Sequence, residues 1–162
     1  ADGDWLGTLM KFEKGQHADV YTSAAIQNMA TIQAAIHNLG VNASDEVKRA
    51  MTNKDGSYRS LFMGYLPKGL SHFDYYKGNV LVEKDKITCV IDFEGVRYDP
   101  LLVCLLYTLS DIYASSKSFE YVSQYVSQYQ VVRKLSKLES MILRTILSLQ
   151  FRNIKFWFIR LI

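Results

Sequence analysis

Four side chains near the middle of this chain have the types and spacing needed for phosphoryl transfer. His72 and Asp74 stand two residues apart, Asn79 follows Asp74 by five, and Asp92 lies thirteen residues beyond Asn79. Moving a phosphoryl group asks little covalent chemistry of a protein. One carboxylate must accept or orient the proton of the attacking hydroxyl, and hard oxygen ligands must hold the Mg²⁺ that bridges the phosphates. Asp74 and Asn79 in one irregular loop can divide these tasks, the acid facing the acceptor and the amide facing the metal. Each residue alone reads as ordinary: a satisfied loop histidine, a turn-forming Asp, a strand-edge Asn, a surface carboxylate. The joint spacing carries the signal, together with the strands around it.

Those strands are legible. Val80-Leu81-Val82 and residues 87–93 are rich in β-branched side chains and are separated by Glu83-Lys84-Asp85-Lys86, a hairpin pattern that would return Asp92 toward Asn79. Upstream, residues 6–12 read as a short strand ending at Lys14-Gly15. Thr22 or Ser23 can cap a helix running to about Asn38, with Ala25, Met29, Ile32, Ile36 and Leu39 on one face and Gly40 as its stop. Val47, Ala50 and Met51 support one weak helix. Leu66-Pro67-Lys68-Gly69 reads as punctuation before the loop. Asp99 as N-cap and Pro100 at the first helical position start a buried helix to about Ala114. A second helix over 118–132 stacks Tyr121, Tyr125 and Tyr129, and Ser136 with Glu139 forms a capping box for a last helix through Met141, Leu143, Ile146 and Leu147. A lone hairpin cannot make a sheet core, so the expected class is α+β and mostly helical.

The chain from Leu66 to Leu106 resembles the aminoglycoside phosphotransferase family, small-molecule kinases of the protein-kinase-like superfamily. The residues that carry the likeness are His72-Phe73-Asp74, Gly78-Asn79-Val80-Leu81-Val82, Val90-Ile91-Asp92-Phe93-Glu94 and Asp99-Pro100. Glu94 after Asp-Phe favours small-molecule kinases over protein kinases, which carry Gly there. Weaker likeness extends to residues 7–15 as an interlobe hinge, to the helix ending at Leu39, and to residues 129–139. The resemblance implies the C-terminal lobe of a kinase-like fold over residues 17–162, preceded by a hinge-strand remnant over 1–16. Within it lie a catalytic loop (70–82), a metal-binding hairpin end (87–95) and a helical substrate region (99–162). It implies ATP and Mg²⁺ as cofactors and a small-molecule hydroxyl as acceptor, in the range of an aminoglycoside, homoserine or choline. Asp74 would be the base and His72 its support. Asn79 and Asp92 would hold the metal, the backbone of Lys11, Phe12 and Glu13 would meet the adenine edge, and Leu81 and Ile91 its face.

Three departures stand out. Phe73 replaces a usual Gly, and Val103 stands where the family often has Asp. No glycine-rich loop or phosphate-gripping strand Lys precedes Trp5. The chain is therefore expected to be an N-terminally truncated kinase, with little activity alone and self-association through exposed apolar surface. An inactive remnant that binds nucleotide or a partner is the alternative.

Composition limits the other classes. The 162 residues are 49% hydrophobic and 22% charged, with two prolines and nine glycines, a globular balance for one domain. The net charge of +3 is not gathered into a run, so nucleic acid is not an expected partner. The run 101–106 is far too short for a membrane span, and Cys89 and Cys104 read as small hydrophobes in a reducing compartment. The acidic opening Ala1-Asp2-Gly3-Asp4 is unlike a secretory signal, so the expected location is the cytoplasm. The missing initial Met points to processing or to a chain that begins within a longer product.

Overall fold

The computed structural model describes residues 14–18, 20–52, 63–84 and 86–151. The anticipated strand over 6–12, the hinge residues Lys11, Phe12 and Glu13, and the apolar tail 156–162 lie outside them.

Strand β1 (Gln16–His17) adds to a hairpin made by β3 (Val80–Glu83) and β4 (Lys86–Val90), giving an antiparallel sheet in the order β1-β3-β4. The hairpin is where the sequence put it, but β4 ends at Val90, so Ile91 and Asp92 already belong to the connection that follows. Gly15 lets the chain reach the hairpin closely: its φ is +153°, and a Cβ there would lie 2.8 Å from both Leu81 Cβ and Thr88 Oγ1.

A second sheet was not legible. β2 (Lys68–Ser71) pairs antiparallel with β5 (Arg97–Pro100), Gly69 opposite Asp99 and Ser71 opposite Arg97. This corrects the helix start. Asp99 is a strand residue and caps nothing; α3 (Leu101–Ser116) begins after Pro100, and the Leu101 N–H donates to the Pro67 carbonyl at 3.0 Å. An Asp-Pro pair satisfies a strand end as readily as a cap, because Pro needs no ladder hydrogen bond.

The helices form the body. α1 (Ser23–Val41) is capped by Thr22, whose hydroxyl accepts from the Ala25 N–H at 3.1 Å. Its buried face is rotated from the expected one: Ile26, Met29, Ala30, Gln33, Ala34 and His37 point inward, while Leu39 is 75% exposed. The rotation follows from two polar side chains that a purely apolar reading puts outside. Gln33 and His37 are buried because Tyr125 and Tyr129 of α4 (Phe119–Val132) bond them, at 2.9 and 2.6 Å. Gly40 is not a stop. It lies inside α1, where β2 passes so close that a Cβ would come within 2.1 Å of the Leu70 carbonyl oxygen. A short helix α2 (Asp45–Met51) follows.

In α5 (Lys137–Phe151) the capping box is realised in both directions. The Glu139 N–H donates to Ser136 Oγ at 3.1 Å, and the Ser136 N–H donates to Glu139 Oε2 at 2.8 Å. The main core joins α1, α3 and α4 through Ile26, Met29, Leu102, Leu105, Ile112 and Tyr125. Among the described residues no helix is long and apolar enough to cross a membrane.

Candidate active site

The loop after β2 is fixed from several directions before any functional group is considered. His72 is buried, and its Nε2–H donates to the Ile91 carbonyl at 2.7 Å, tying the loop to the connection that carries Asp92. Its ring meets Phe93 edge-on with centroids 4.6 Å apart. Tyr75 is buried, and its hydroxyl donates to the Met29 carbonyl at 3.1 Å. The Tyr75 carbonyl accepts from Thr108 Oγ1 at 2.8 Å, and Gln33 Nε2 donates to that same hydroxyl at 2.8 Å. On the far side Tyr21 donates to Asp111 and accepts from the Lys77 N–H at 3.2 Å. Burial and the Asp111 carboxylate hold the Tyr21 phenol far above its ordinary pKa, so it stays a neutral donor. Helices α1 and α3 thus hold the loop, α1 through the Met29 carbonyl and α3 through Thr108, with Gln33 and Asp111 bracing the hydroxyls that touch it.

Phe73 is in the left-handed region at φ +66°, costly for a bulky residue. Its ring turns inward and packs with Val103 and Cys104, and against Tyr107 with centroids 5.4 Å apart. The two departures at 73 and 103 are therefore neighbours: an aromatic ring meets an aliphatic side chain where Gly and Asp are usual. Burial pushes the Cys104 thiol up to about 11, so it is an inert hydrophobe, as the sequence suggested. Cys89 is only half-buried.

Asp74 is exposed, and Asn79 is buried beside it. The Asn79 Nδ2 donates to both the Asp74 carbonyl and Asp74 Oδ2, each at 2.9 Å. Both amide hydrogens are then committed, and the amide oxygen is the atom left to serve a cation. The Asn79 carbonyl accepts from the Ile91 N–H at 3.0 Å, so the loop and the hairpin end are laced together next to Asp92. Asp92 is exposed and sits at φ +63° and ψ +61°, a conformation Asp tolerates better than most residues. His72, Asp74, Asn79 and Asp92 are thereby joined by one continuous set of bonds and turns. Leu81 on β3 and Ile91 just beyond β4 are half-buried, Leu81 paired with His17 on one side and Cys89 on the other.

Asp74 opens onto a pocket of about 530 Å³ whose wall includes Glu94, Gly95, Arg97, Phe73 and Tyr107. Glu94, Arg97 and Tyr107 were not assigned to a site from sequence. The signal that would have found Arg97 is the β2–β5 register, which puts it opposite Ser71 and so beside the loop.

The model of the phosphotransferase enzyme family matches residues 57–139, just over half of the chain. The chain belongs to this family. Among solved structures, an aminoglycoside phosphotransferase from Alicyclobacillus acidocaldarius subsp. acidocaldarius DSM 446 is similar at 18% identity and a TM-score of 0.57, over 80% of this chain and 54% of that one. The amicoumacin kinase hAmiN, in complex with AMP-PNP, Ca²⁺ and Ami, is similar at 12% identity and a TM-score of 0.57, over 76% and 47%. The apoenzyme of the macrolide 2'-phosphotransferase MphH from Brachybacterium faecium is similar at 14% identity and a TM-score of 0.50, over 76% and 50%. At these identities the likeness establishes the fold, which is kinase-like, and the chain spans about half the length of the structures it matches. No curated protein matches the chain as a sequence relative.

Proposed function

We propose that this family member carries the catalytic half of an ATP-dependent phosphotransferase acting on a small-molecule hydroxyl. The observation that supports this best is the double hydrogen bond from the Asn79 amide to Asp74. It fixes the carboxylate that faces the pocket and, in the same stroke, leaves the amide oxygen to a cation. Asp74 binds and orients the acceptor hydroxyl and takes its proton at a carboxylate oxygen. His72 keeps the loop in place by holding the Ile91 carbonyl. Leu81 and Ile91 offer half-buried aliphatic surface to the nucleotide base.

The donor set fits Mg²⁺. Asn79 and Asp92 supply hard oxygens, and among the described residues no group of three or more His, Cys, Asp or Glu forms a self-sufficient cage. A cation held by so few protein ligands relies on water and nucleotide phosphates for the rest of its shell, and when bound it neutralises phosphate charge. Binding of metal and nucleotide should therefore be mutually dependent. Calorimetry with Mn²⁺ in the presence and absence of AMP-PNP tests this: the parent chain should bind Mn²⁺ far more tightly with the nucleotide, and Asp92→Ala should lose that gain. Equal binding by parent and variant overturns the metal assignment.

A further inference from the structure

We propose that Thr108 is a positioning residue, its hydroxyl acting through the Tyr75 carbonyl to hold Asp74 against Asn79. The proposal rests on the reading of Asp74 as the group that meets the acceptor hydroxyl.

Thr108 lies buried in the middle of α3. A hydroxyl inside a helix ordinarily gives its proton to the carbonyl four residues back. Two serines of α3 do so: Ser110 Oγ donates to the Leu106 carbonyl and Ser116 Oγ to the Ile112 carbonyl, each at 2.7 Å. Thr108 departs from this pattern. The carbonyl four residues back, that of Cys104, is 3.3 Å away, whereas the Tyr75 carbonyl is at 2.8 Å. The hydroxyl has turned out of its own helix to reach the residue next to Asp74.

A buried relay sets that turn. The Tyr125 hydroxyl donates to Gln33 Oε1 at 2.9 Å, and Gln33 Nε2 donates to Thr108 Oγ1 at 2.8 Å. Burial holds the Tyr125 phenol well above its ordinary pKa, so it keeps the proton it donates. The Gln33 amide is thereby oriented with its N–H toward Thr108. The Thr108 oxygen accepts from Gln33, and its own proton goes to Tyr75. Tyr125, Gln33, Thr108 and Tyr75 are each at most 2% exposed, so water cannot stand in for any of these partners.

At the far end the relay meets a residue anchored twice. Tyr75 gives its hydroxyl proton to the Met29 carbonyl and receives the Thr108 proton at its own carbonyl. Asp74 precedes it and is exposed, and its carbonyl and Oδ2 both accept from Asn79 Nδ2. The placement of Asp74 therefore depends on the backbone that follows it. Val103, which stands where the family often has Asp, packs on Phe73 and has no side-chain hydrogen bond to offer. Thr108 supplies a side-chain tie from α3 to the loop that position 103 does not.

The experiment reads the Asn79 side-chain amide in ¹H–¹⁵N spectra of the full chain, because both its protons are committed to Asp74. Thr108→Val keeps the shape and removes the hydroxyl. It should move the Asn79 signals toward those of free amides and speed their hydrogen exchange about fivefold, as expected for the loss of one net hydrogen bond. Thr108→Ser restores the hydroxyl and should return both. Leu143→Ala, a buried change on α5, is the control for lost stability: it should lower the melting temperature and leave Asn79 unmoved. An unmoved Asn79 in Thr108→Val overturns the proposal, as does a Thr108→Ser that behaves like Val or an equal response in Leu143→Ala. Should Thr108→Val not fold, Tyr125→Phe takes its place. It strips the relay of the hydroxyl that orients Gln33 and should shift Asn79 in the same direction, and an unmoved signal there overturns the proposal. The spectra need no nucleotide, so AMP-PNP with Mn²⁺ added to the same samples separates the two readings. An Asn79 response in a chain that binds no nucleotide leaves Thr108 as the support of the Asp74–Asn79 pair and sinks the kinase; nucleotide binding with no Asn79 response does the reverse.

Discussion

At the scale of single residues, the site was most legible where chemistry restricts residue type most. Phosphoryl transfer has few substitutes for an Asp, an Asn and a second Asp, so their spacing together with the strands around it brought Asp74, Asn79 and Asp92 into view as candidates, and the structure gathers their segments around the His72 and Ile91 bonds. Arg97 and Tyr107 were not legible because either type is common on surfaces, and only the strand pairing brings them to the pocket. Phe73 and Val103 looked like two separate losses in sequence and are one packing contact in space. The decisive residue-scale variant is Asp74→Asn. It keeps the shape of the side chain and can still meet Asn79, but cannot take a proton. Turnover of a hydroxyl acceptor should fall by roughly two to four orders of magnitude, the range for a positioned base. Nucleotide affinity should barely move, because the side chain faces the acceptor pocket. Steady-state kinetics with a parallel AMP-PNP titration checks both halves, and a variant that keeps most of its turnover removes Asp74 from the proposed role.

At the scale of elements, periodicity found each major helix, and capping chemistry found ends precisely where it is local. Thr22 and the Ser136–Glu139 box cap as the sequence implies, while Ser118, which the sequence reading counts inside its helix, is the residue that caps α4. What failed was any feature decided by a distant segment. β2 and β5 are four residues each, too short and too polar to declare themselves, and they exist because each supplies the other's ladder. Gly40 gave a local signal for a helix end, yet its cause is the Leu70 backbone pressed against it. This separates two expectations for Gly40→Ala. Helix propensity alone favours Ala by about 1 kcal/mol. The contact with Leu70 requires α1 and β2 to move apart, and overpacking of that kind costs roughly 1–3 kcal/mol or more. Thermal unfolding should show a drop of several degrees, given about 2–4 °C per kcal/mol for a chain of this size. Gly64→Ala is the matched control, since a Cβ there meets nothing within 4 Å, and its melting temperature should be unchanged. A stabilised Gly40→Ala would mean that α1 and β2 do not approach as described.

At the scale of the whole molecule, the helical body that carries the loop is pinned by a buried polar relay across three elements. Arg133 follows α4 and donates to the Glu139 carboxylate of α5 at 2.9 Å and to the Tyr129 hydroxyl at 3.2 Å. Accepting from Arg133, the Tyr129 hydroxyl gives its own proton to His37 Nδ1 on α1, 2.6 Å away. The arrangement requires a neutral imidazole. Burial, and then the positive charge of Arg133, lower the His37 pKa to about 3, while an unfolded histidine titrates near 6.5. Between those values the unfolded chain binds a proton that the folded chain refuses. The contribution of His37 is therefore fully present above about pH 7 and is lost as pH falls, at up to about 1.4 kcal/mol per unit. Carboxylates begin to titrate near pH 4–5, so the window from pH 7 to 5 isolates histidine. Urea unfolding across that window should show the midpoint falling as the solution is acidified. His37→Gln keeps an acceptor for Tyr129 and has nothing to protonate; it should be less stable than the parent at pH 7.5 through imperfect packing, yet much flatter from pH 7 to 5. Parallel slopes for parent and variant would show that His37 does not couple acid to the packing of α1 on α4, and that the loop's support is insensitive to this relay.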